Sequence, residues 1–443
     1  MPWPQTIWII CYTFVALGLS LYGCHRFLMI YLYWKHRHDI PKPMGKFEDS
    51  DLPVVTVQLP IFNEAYVVQR LIRAVGELDY PKDRLQVQVL DDSTDDTTVM
   101  CQAEVDALVA KGLDVELIHR VDRTGYKAGA LQAGMASAKG ELIFILDADF
   151  VPPKRVLHEM VHFFTDPGLG MVQSRWGHLN SGYSLLTKIQ SMFLDGHLIL
   201  EQTARSRSGR FFSFNGTGGI WRRSCIVDAG GWEHDTLTED LDLSYRAQLK
   251  GWKFVFLKDV VTPAELPVDM DGFKTQQHRW TKGSIQTCKK MLSVVWRSNV
   301  SLLIKIEAFF HLTSNFAYLL LGGMCFLVYP SDARPQLEWQ WSLLMNVPIF
   351  VAASVSVCIF YIASQRVLHP KRWFKELIYL PVLLALGIGM SINNGKAVLE
   401  AIFNKTSPFV RTPKYGISKK KISWKGLRYS ALKSVAPVFE VLF

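Results

Sequence analysis

A chain of 443 residues with 49% hydrophobic content and a formal net charge of +9 is long enough for two or three domains and a large core. With a pI of about 9.1, this balance points to a membrane protein with basic cytoplasmic loops. There is no Arg/Lys-rich tract interleaved with aromatics, which argues against a nucleic-acid partner. The seven cysteines are scattered without a Cys-x-x-Cys, which argues against a zinc site or a disulfide framework.

In chain order, residues 7–34 form the first element, an apolar run long enough to span a bilayer, which takes about 20 residues. His25 and Arg26 interrupt it and should face protein or headgroups. Lys35-His-Arg37-His follows it and no basic residue precedes it. An N-terminal helix over 1–38 is therefore expected, with its start outside and the next domain in the cytosol.

From residue 50, strand and helix signals alternate. Strands are expected at 54–59, 85–90, 113–118 and 141–146, with helices at 64–78, 94–111 and 126–138 between them. This order predicts a mainly parallel sheet with helices on both faces, over residues 50–272. Ligands of such sheets sit beyond the carboxyl ends of the strands. Those ends carry Pro60, Asn63 and Glu64; Asp91-Asp92-Ser93-Thr94; Lys127, within Gly125-Tyr-Lys-Ala-Gly129; and Asp147-Ala-Asp149. At period two, Asp147 and Asp149 point the same way. Paired carboxylates there suit a hard divalent cation, Mg2+ or Mn2+, that also holds phosphate oxygens. Lys127 and helix-start amides suit a diphosphate. Asp-Asp-Ser-Thr also has the residue types of a helix cap. The glycines do not form Gly-x-Gly-x-x-Gly, so a nicotinamide cofactor is not supported.

Beyond Asp149, residues 171–176 read as a strand bringing polar and aromatic groups, Trp176 among them, inward. Residues 183–207 read as a long helix. In Asn215-Gly216-Thr217-Gly218-Gly219 the glycines permit close approach of a ligand or backbone, and Asn215 and Thr217 can hydrogen-bond hydroxyls. Thr238 is a candidate helix cap, followed by Glu239 and Asp240; a carboxylate here is a candidate general base toward a sugar hydroxyl. Residues 273–298, containing Gln276, Arg279 and Trp280, read as a basic amphipathic helix on the inner leaflet. Its Arg and Trp suit a diphosphate and a sugar face. Two further spans, 302–329 and 342–363, are expected to form a hairpin over 302–363 with its tip outside. Residues 377–392, shorter and containing Pro381, Gly387 and Gly389, read as interfacial or re-entrant within 376–403. A basic segment follows over 404–443, and an apolar run starts at 437.

Asp91-Asp92, Asp147-Ala-Asp149, Thr238-Glu-Asp240 and Gln276-x-x-Arg279-Trp280 occur in the order seen in processive family 2 glycosyltransferases. The chain resembles cellulose and hyaluronan synthases, and most nearly the cellulose-synthase-like glucomannan and mannan synthases and their bacterial relatives. The resemblance covers roughly residues 50–300 and the flanking spans. It implies a GT-A type domain that takes a UDP- or GDP-linked sugar and transfers it with inversion to a glycan or glycolipid acceptor at a lipid bilayer. It also implies roles. Asp92 would contact the base, Lys127 and Asp147 the nucleotide, and Asp149 the metal. Asp240 would be the base. Gln276, Arg279 and Trp280 would border the diphosphate and acceptor. Asn215, Gly216, Thr217 and Glu239 are candidate acceptor contacts. Phe409-Val-Arg-Thr412-Pro-Lys414 is similar to the gating loop of cellulose synthases, with Arg411 where that pattern has Val. The alternatives are transfer of one or two sugars to a lipid, or an inactive nucleotide-binding scaffold in the membrane.

Overall fold

The structure, a computed structural model, describes residues 3–328, 340, 346–347, 350–405 and 410–417. Phe409 and the apolar run at 437 lie outside the described residues.

The catalytic-domain candidate is built on one seven-stranded sheet: β1 (Val55–Ile61), β2 (Leu85–Asp91), β3 (Asp114–His119), β4 (Leu142–Ile145), β5 (Leu169–His178), β6 (Gly219–Arg222) and β7 (Lys253–Ala264). Their order is β3-β2-β1-β4-β6-β5-β7. The first four strands pair in parallel, β6 runs antiparallel to β4 and β5, and β7 is parallel to β5. The early strands fall where the apolar alternation puts them.

β4 shows why. Ile143 and Ile145 enter the core on one face, and Leu142 and Phe144 enter the core on the other. A strand covered on both sides reads as an unbroken apolar run. In β1 and β2 the alternate glutamines are buried too. Thr56 Oγ1 donates to Gln86 Oε1 at 2.7 Å, and Gln58 Nε2 donates to Gln88 Oε1 at 3.0 Å. Gln88 Nε2 continues to the Gly134 carbonyl at 3.0 Å. This cross-strand ladder pairs Gln86 and Gln88 fully and leaves Gln58 Oε1 buried without a partner, and it lets the small residues of helix Tyr126–Gly134 pack against a polar row.

The helix expected over 183–207 is present but not uniform. Ser184 and Thr187 form a capping box at its start, and residues Gly196–Gln202 widen into a π-helical turn before Thr203–Arg207. Such turns recur at functional sites.

Among the described residues, three helices are long and apolar enough to cross a membrane: Trp3–His36, Val351–Leu368 and Trp373–Ile402. A fourth span exists if Leu302–Thr313 and Phe316–Val328, bent by 56° at their break, count as one. Thr313 Oγ1 and Ser314 Oγ back-bond to Phe309 and His311 carbonyls at that break, a recognised cause of helix bending. His25 and Arg26 do face protein: they reach Glu307 Oε2 and Ser356 Oγ, each at 3.0 Å.

The helix Leu380–Ile402 lies within the 376–403 segment expected from the sequence and runs ten residues past the apolar stretch that ends at 392. Asn394 is buried and Asn393 Nδ2 donates to the Lys274 carbonyl at 3.1 Å. Helix Met270–Arg297 packs on this helix, on Leu302–Thr313 and on Glu239–Leu249. Three of its lysines, Lys282, Lys289 and Lys290, meet protein groups. Lys282 Nζ and Lys289 Nζ donate to the carbonyls of Lys405 (2.6 Å) and Ala401 (3.0 Å), at and just past the end of the Leu380–Ile402 helix, where cations are favoured.

Candidate active site at the strand ends

Beyond the carboxyl ends of β1, β2 and β4 lies a cleft of about 1290 Å³. Pro60, Glu64, Asp92, Lys127, Asp147 and Asp149 line one side. Asn215, Gly216, Thr217, Glu239, Asp240, Gln276, Arg279 and Trp280 line the other, with Thr412 and Lys414 beside them. Groups as far apart in sequence as Pro60 and Lys414 thus share one hollow.

Helix Tyr126–Gly134 delivers Lys127. Its entry bends through left-handed backbone at Gly125 (φ 76°) and Tyr126 (φ 48°). A Cβ at Gly125 would lie 3.1 Å from the Gly129 backbone, so only glycine fits that turn. Lys127 Nζ donates to Asp147 Oδ1 at 2.6 Å and to the Gly216 carbonyl at 2.9 Å. Burial alone would lower the Lys127 pKa, but the carboxylates of Asp147, Glu239 and Asp240 carry it above the ordinary value. Burial alone would raise the Asp147 pKa, and the lysines 127 and 414 hold it below normal. The pair is therefore ionised on both sides.

Asp92 is fixed by a residue that its sequence neighbourhood does not reveal. Arg120 holds both of its oxygens, Nε to Oδ1 at 2.8 Å and Nη2 to Oδ2 at 2.6 Å. Such a fork leaves the carboxylate oriented as well as charged. Arg123 lies over the Phe62 ring, 3.3 Å from its centroid, and forms the adjacent wall. Asp92 is therefore no helix cap; the following helix starts later, at Thr97, where Asp95 Oδ1 accepts from the Thr97 amide. Asn63 does not line the cleft. With φ 52° its amide N–H donates to Ser93 Oγ at 2.8 Å, and its Oδ1 accepts from the Thr94 N–H at 2.8 Å. Asn63 thus ties the first loop to the second, since asparagine tolerates left-handed backbone and bonds neighbouring amides.

Asp240 stands in the first turn of helix Glu239–Leu249. Burial, followed by the charge of Glu239, pushes its carboxyl up to about 7. Gly216, at φ 82°, lies against it: a Cβ there would sit 2.9 Å from Asp240 Oδ2. Thr238 occupies the N-cap position but does not cap. Its hydroxyl instead meets Thr287 Oγ1 at 3.1 Å, and the Leu237 N–H donates to Gln286 Oε1 at 2.9 Å. The loop carrying Asp240 is thereby latched to helix Met270–Arg297, which also supplies Gln276, Arg279 and Trp280. Burial draws the Arg279 pKa down, against the carboxylates of Glu239, Asp147 and Asp240.

A second cavity, of about 1820 Å³, joins the first. Asn215, Asp240, Gln276, Trp176 and Trp280 line both. Its far walls carry Tyr22, His25, His311, Tyr361 and Met390, from the apolar helices.

Asp147 and Asp149 offer only hard oxygens, a donor set that fits Mg2+ or Mn2+ completed by phosphate. The spot attracts a cation already: Lys414 Nζ lies 2.6 Å from Asp149 Oδ1 and 3.2 Å from Glu64 Oε1. Another acidic cluster, Glu233, Asp235 and Asp242, surrounds Lys290 Nζ at 2.5, 2.8 and 3.0 Å, and Arg246 also pairs with Asp242 at 2.7 Å.

Residues 53–283 match the family described as glycosyltransferase-like family 2. The chain is 41% identical over 285 residues to glucomannan 4-beta-mannosyltransferase 2 of Arabidopsis thaliana, covering 61% of this chain and 53% of that protein. It is 35% identical over 387 residues to glucomannan 4-beta-mannosyltransferase 1 of Cyamopsis tetragonoloba, covering 83% and 70% respectively. Against several of these relatives the chain spans little more than half their length. Among solved structures, it is similar to a mannosyltransferase from Pyrobaculum calidifontis in complex with GDP-Man and Mn2+, with a TM-score of 0.60 and 20% identity over 89% of this chain and 100% of that one. That likeness concerns the fold, which is of the GT-A type.

Proposed function

The chain belongs to glycosyltransferase family 2, and on that premise we propose that it is a membrane-embedded, inverting β-glycan synthase that extends a polymer from a nucleotide-diphosphate sugar. The observation that carries the reading is the joining of the two cavities at Asp240 and Trp280. A sugar donor held at the strand ends would meet an acceptor lying toward the membrane helices.

In this reading Asp92, fixed by Arg120, faces the nucleobase. Lys127 and Arg279 hold the diphosphate and balance its growing charge as it leaves. Asp240 takes the proton from the acceptor hydroxyl, whose oxygen bonds to the anomeric carbon as the carbon–diphosphate bond breaks. Attack comes from the face opposite the leaving group, so the centre inverts. Asn215, Gly216, Thr217 and Glu239 line the acceptor side, and Trp280 is its floor. Asp147 and Asp149 would hold Mg2+ or Mn2+, which when bound neutralises the diphosphate oxygens. Lys414 and Thr412 belong to a segment that covers this site. The names of the relatives favour a mannosyl donor and a mannan or glucomannan product. The domain lies on the cytosolic side, with the N-terminus outside.

The test is incubation of the membrane-embedded protein with labelled GDP- and UDP-sugars, with Mg2+, Mn2+ or chelator. Metal-dependent, insoluble, β-linked product supports the reading. Only short, organic-soluble product would replace polymer synthesis by transfer to a lipid, and no turnover of any donor would leave a scaffold.

A further inference from the structure

The strand β5 brings a second tryptophan to the place where the cavities meet. Trp176 is half-buried and lines both of them. Its ring centroid is 6.3 Å from that of Trp280, with the planes tilted by 49°. Behind it the Phe150 ring packs edge-on at 5.6 Å. Its indole N–H is used internally, donating to the Thr217 carbonyl at 3.0 Å. Gly218, at φ 70°, lies against the indole, in ordinary contact distance of Trp176 Cδ1.

These facts define what the side chain can do. With its one polar atom satisfied, Trp176 presents to the cavity an apolar ring held at both ends, by Phe150 and by Thr217. A rigid aromatic surface costs little conformational entropy to use and is suited to the C–H face of a sugar ring. The separation from Trp280 is too small for a sugar to lie between the two rings. They form instead an angled corner, one side on the sheet and one on helix Met270–Arg297. The corner lies beside Asp240, on the acceptor's path to the donor cleft.

We infer that Trp176 is a positioning and specificity-determining residue of the acceptor subsite, forming with Trp280 a corner that orients the terminal sugar of the growing chain so that its attacking hydroxyl faces Asp240. The inference rests on the reading of the joined cavities as donor and acceptor sites. It also links the two: Thr217, whose carbonyl holds Trp176, uses its hydroxyl to accept from the Asp147 amide at 2.8 Å.

The experiment compares Trp176→Ala and Trp176→Phe with the wild-type protein in membranes, using a β-manno-oligosaccharide acceptor and GDP-mannose. Two rates are followed: sugar transfer, and hydrolysis of the donor without acceptor. The acceptor KM rises about 10-fold in the Ala variant and much less in the Phe variant, which keeps a ring face but lacks the N–H. Donor KM changes several-fold less than acceptor KM, and unchanged thermal unfolding midpoints show that both variants are folded. An unchanged acceptor KM, or donor and acceptor KM rising together, overturns the inference alone. A wild-type protein that binds nucleotide sugar and never transfers it to a saccharide overturns the functional reading and this inference together.

Discussion

The Lys414 ammonium lies 2.6 Å from Asp149 Oδ1, inside a ring of carboxylates that also includes Glu64 and Asp147. Burial opposes the charge on Lys414, and those carboxylates raise its pKa well above the ordinary lysine value. The cation side chain therefore sits on an oxygen that a metal would need. Lys414→Gln removes the competitor, so Mn2+ binding without nucleotide should tighten by about 10-fold, which corresponds to about 1.4 kcal/mol, at the lower end of what one charge at contact distance contributes. Titration followed by Mn2+ electron paramagnetic resonance reads this directly. Equal affinities in the two proteins would mean that Lys414 does not compete.

Asp240 carries a pKa of about 7 because it is buried beside Glu239. A base must be ionised, so transfer rises with pH up to a plateau above that value. Asp240→Asn lowers kcat by about 10²–10⁴ and removes this limb, while nucleotide affinity persists. The stability effect has the opposite sign. The folded carboxyl retains its proton between its ordinary range, near 4, and 7, so this group's contribution to stability falls as pH rises through that window. Asn carries no charge to bury. Thermal unfolding at pH 8 should find the Asn variant at least as stable as wild type, and a clear loss of Tm would contradict the burial argument.

Arg120 is the partner of a buried carboxylate. Arg120→Leu leaves Asp92 charged and unpaired, a change that typically costs about 3–5 kcal/mol in a buried pair. Both Tm and nucleotide affinity should fall. The double variant Arg120→Leu/Asp92→Asn should recover Tm without recovering nucleotide binding. Recovery of both would separate Asp92 from base recognition.

Gly216 stands at φ 82° with Asp240 Oδ2 where a side chain would be. Gly216→Ala combines left-handed strain, of order 1 kcal/mol, with a clash against the base. Activity should drop further than stability does. A variant with wild-type kcat would show that Asp240 has more freedom than this contact implies.

What the sequence made legible follows from period and chemistry. Buried strands alternate or run apolar, so β1, β2 and β4 could be placed, and the sheet rule then collected Asp92, Lys127, Asp147 and Asp149 at one rim. Interactions between distant side chains were not legible. Arg120 lies 28 residues from Asp92 and reads as an ordinary surface arginine. Asn63 and Thr238 have the types of cleft and cap residues, yet each spends its polar atoms fastening one segment to another. The helix Leu380–Ile402 falls inside the 376–403 segment that the sequence suggested, but its contacts did not show: hydropathy treats Asn393 and Asn394 as solvent-seeking, whereas Asn394 is buried and Asn393 bonds the Lys274 carbonyl. Trp176 was visible as an inward aromatic, but nothing in its strand identified Trp280 as its neighbour.

The hydroxyl contact between Thr238 and Thr287 has a practical corollary. One wall of the reaction chamber is an amphipathic cylinder whose other neighbours are hydrophobic helices. A fragment ending before residue 270 would retain the sheet and its carboxylates while losing Gln276, Arg279, Trp280 and the latch on the Asp240 loop. Under the proposed function, transfer and lipid embedding depend on one assembly, so rates measured in detergent should vary with the surfactant even when substrate and metal are held constant.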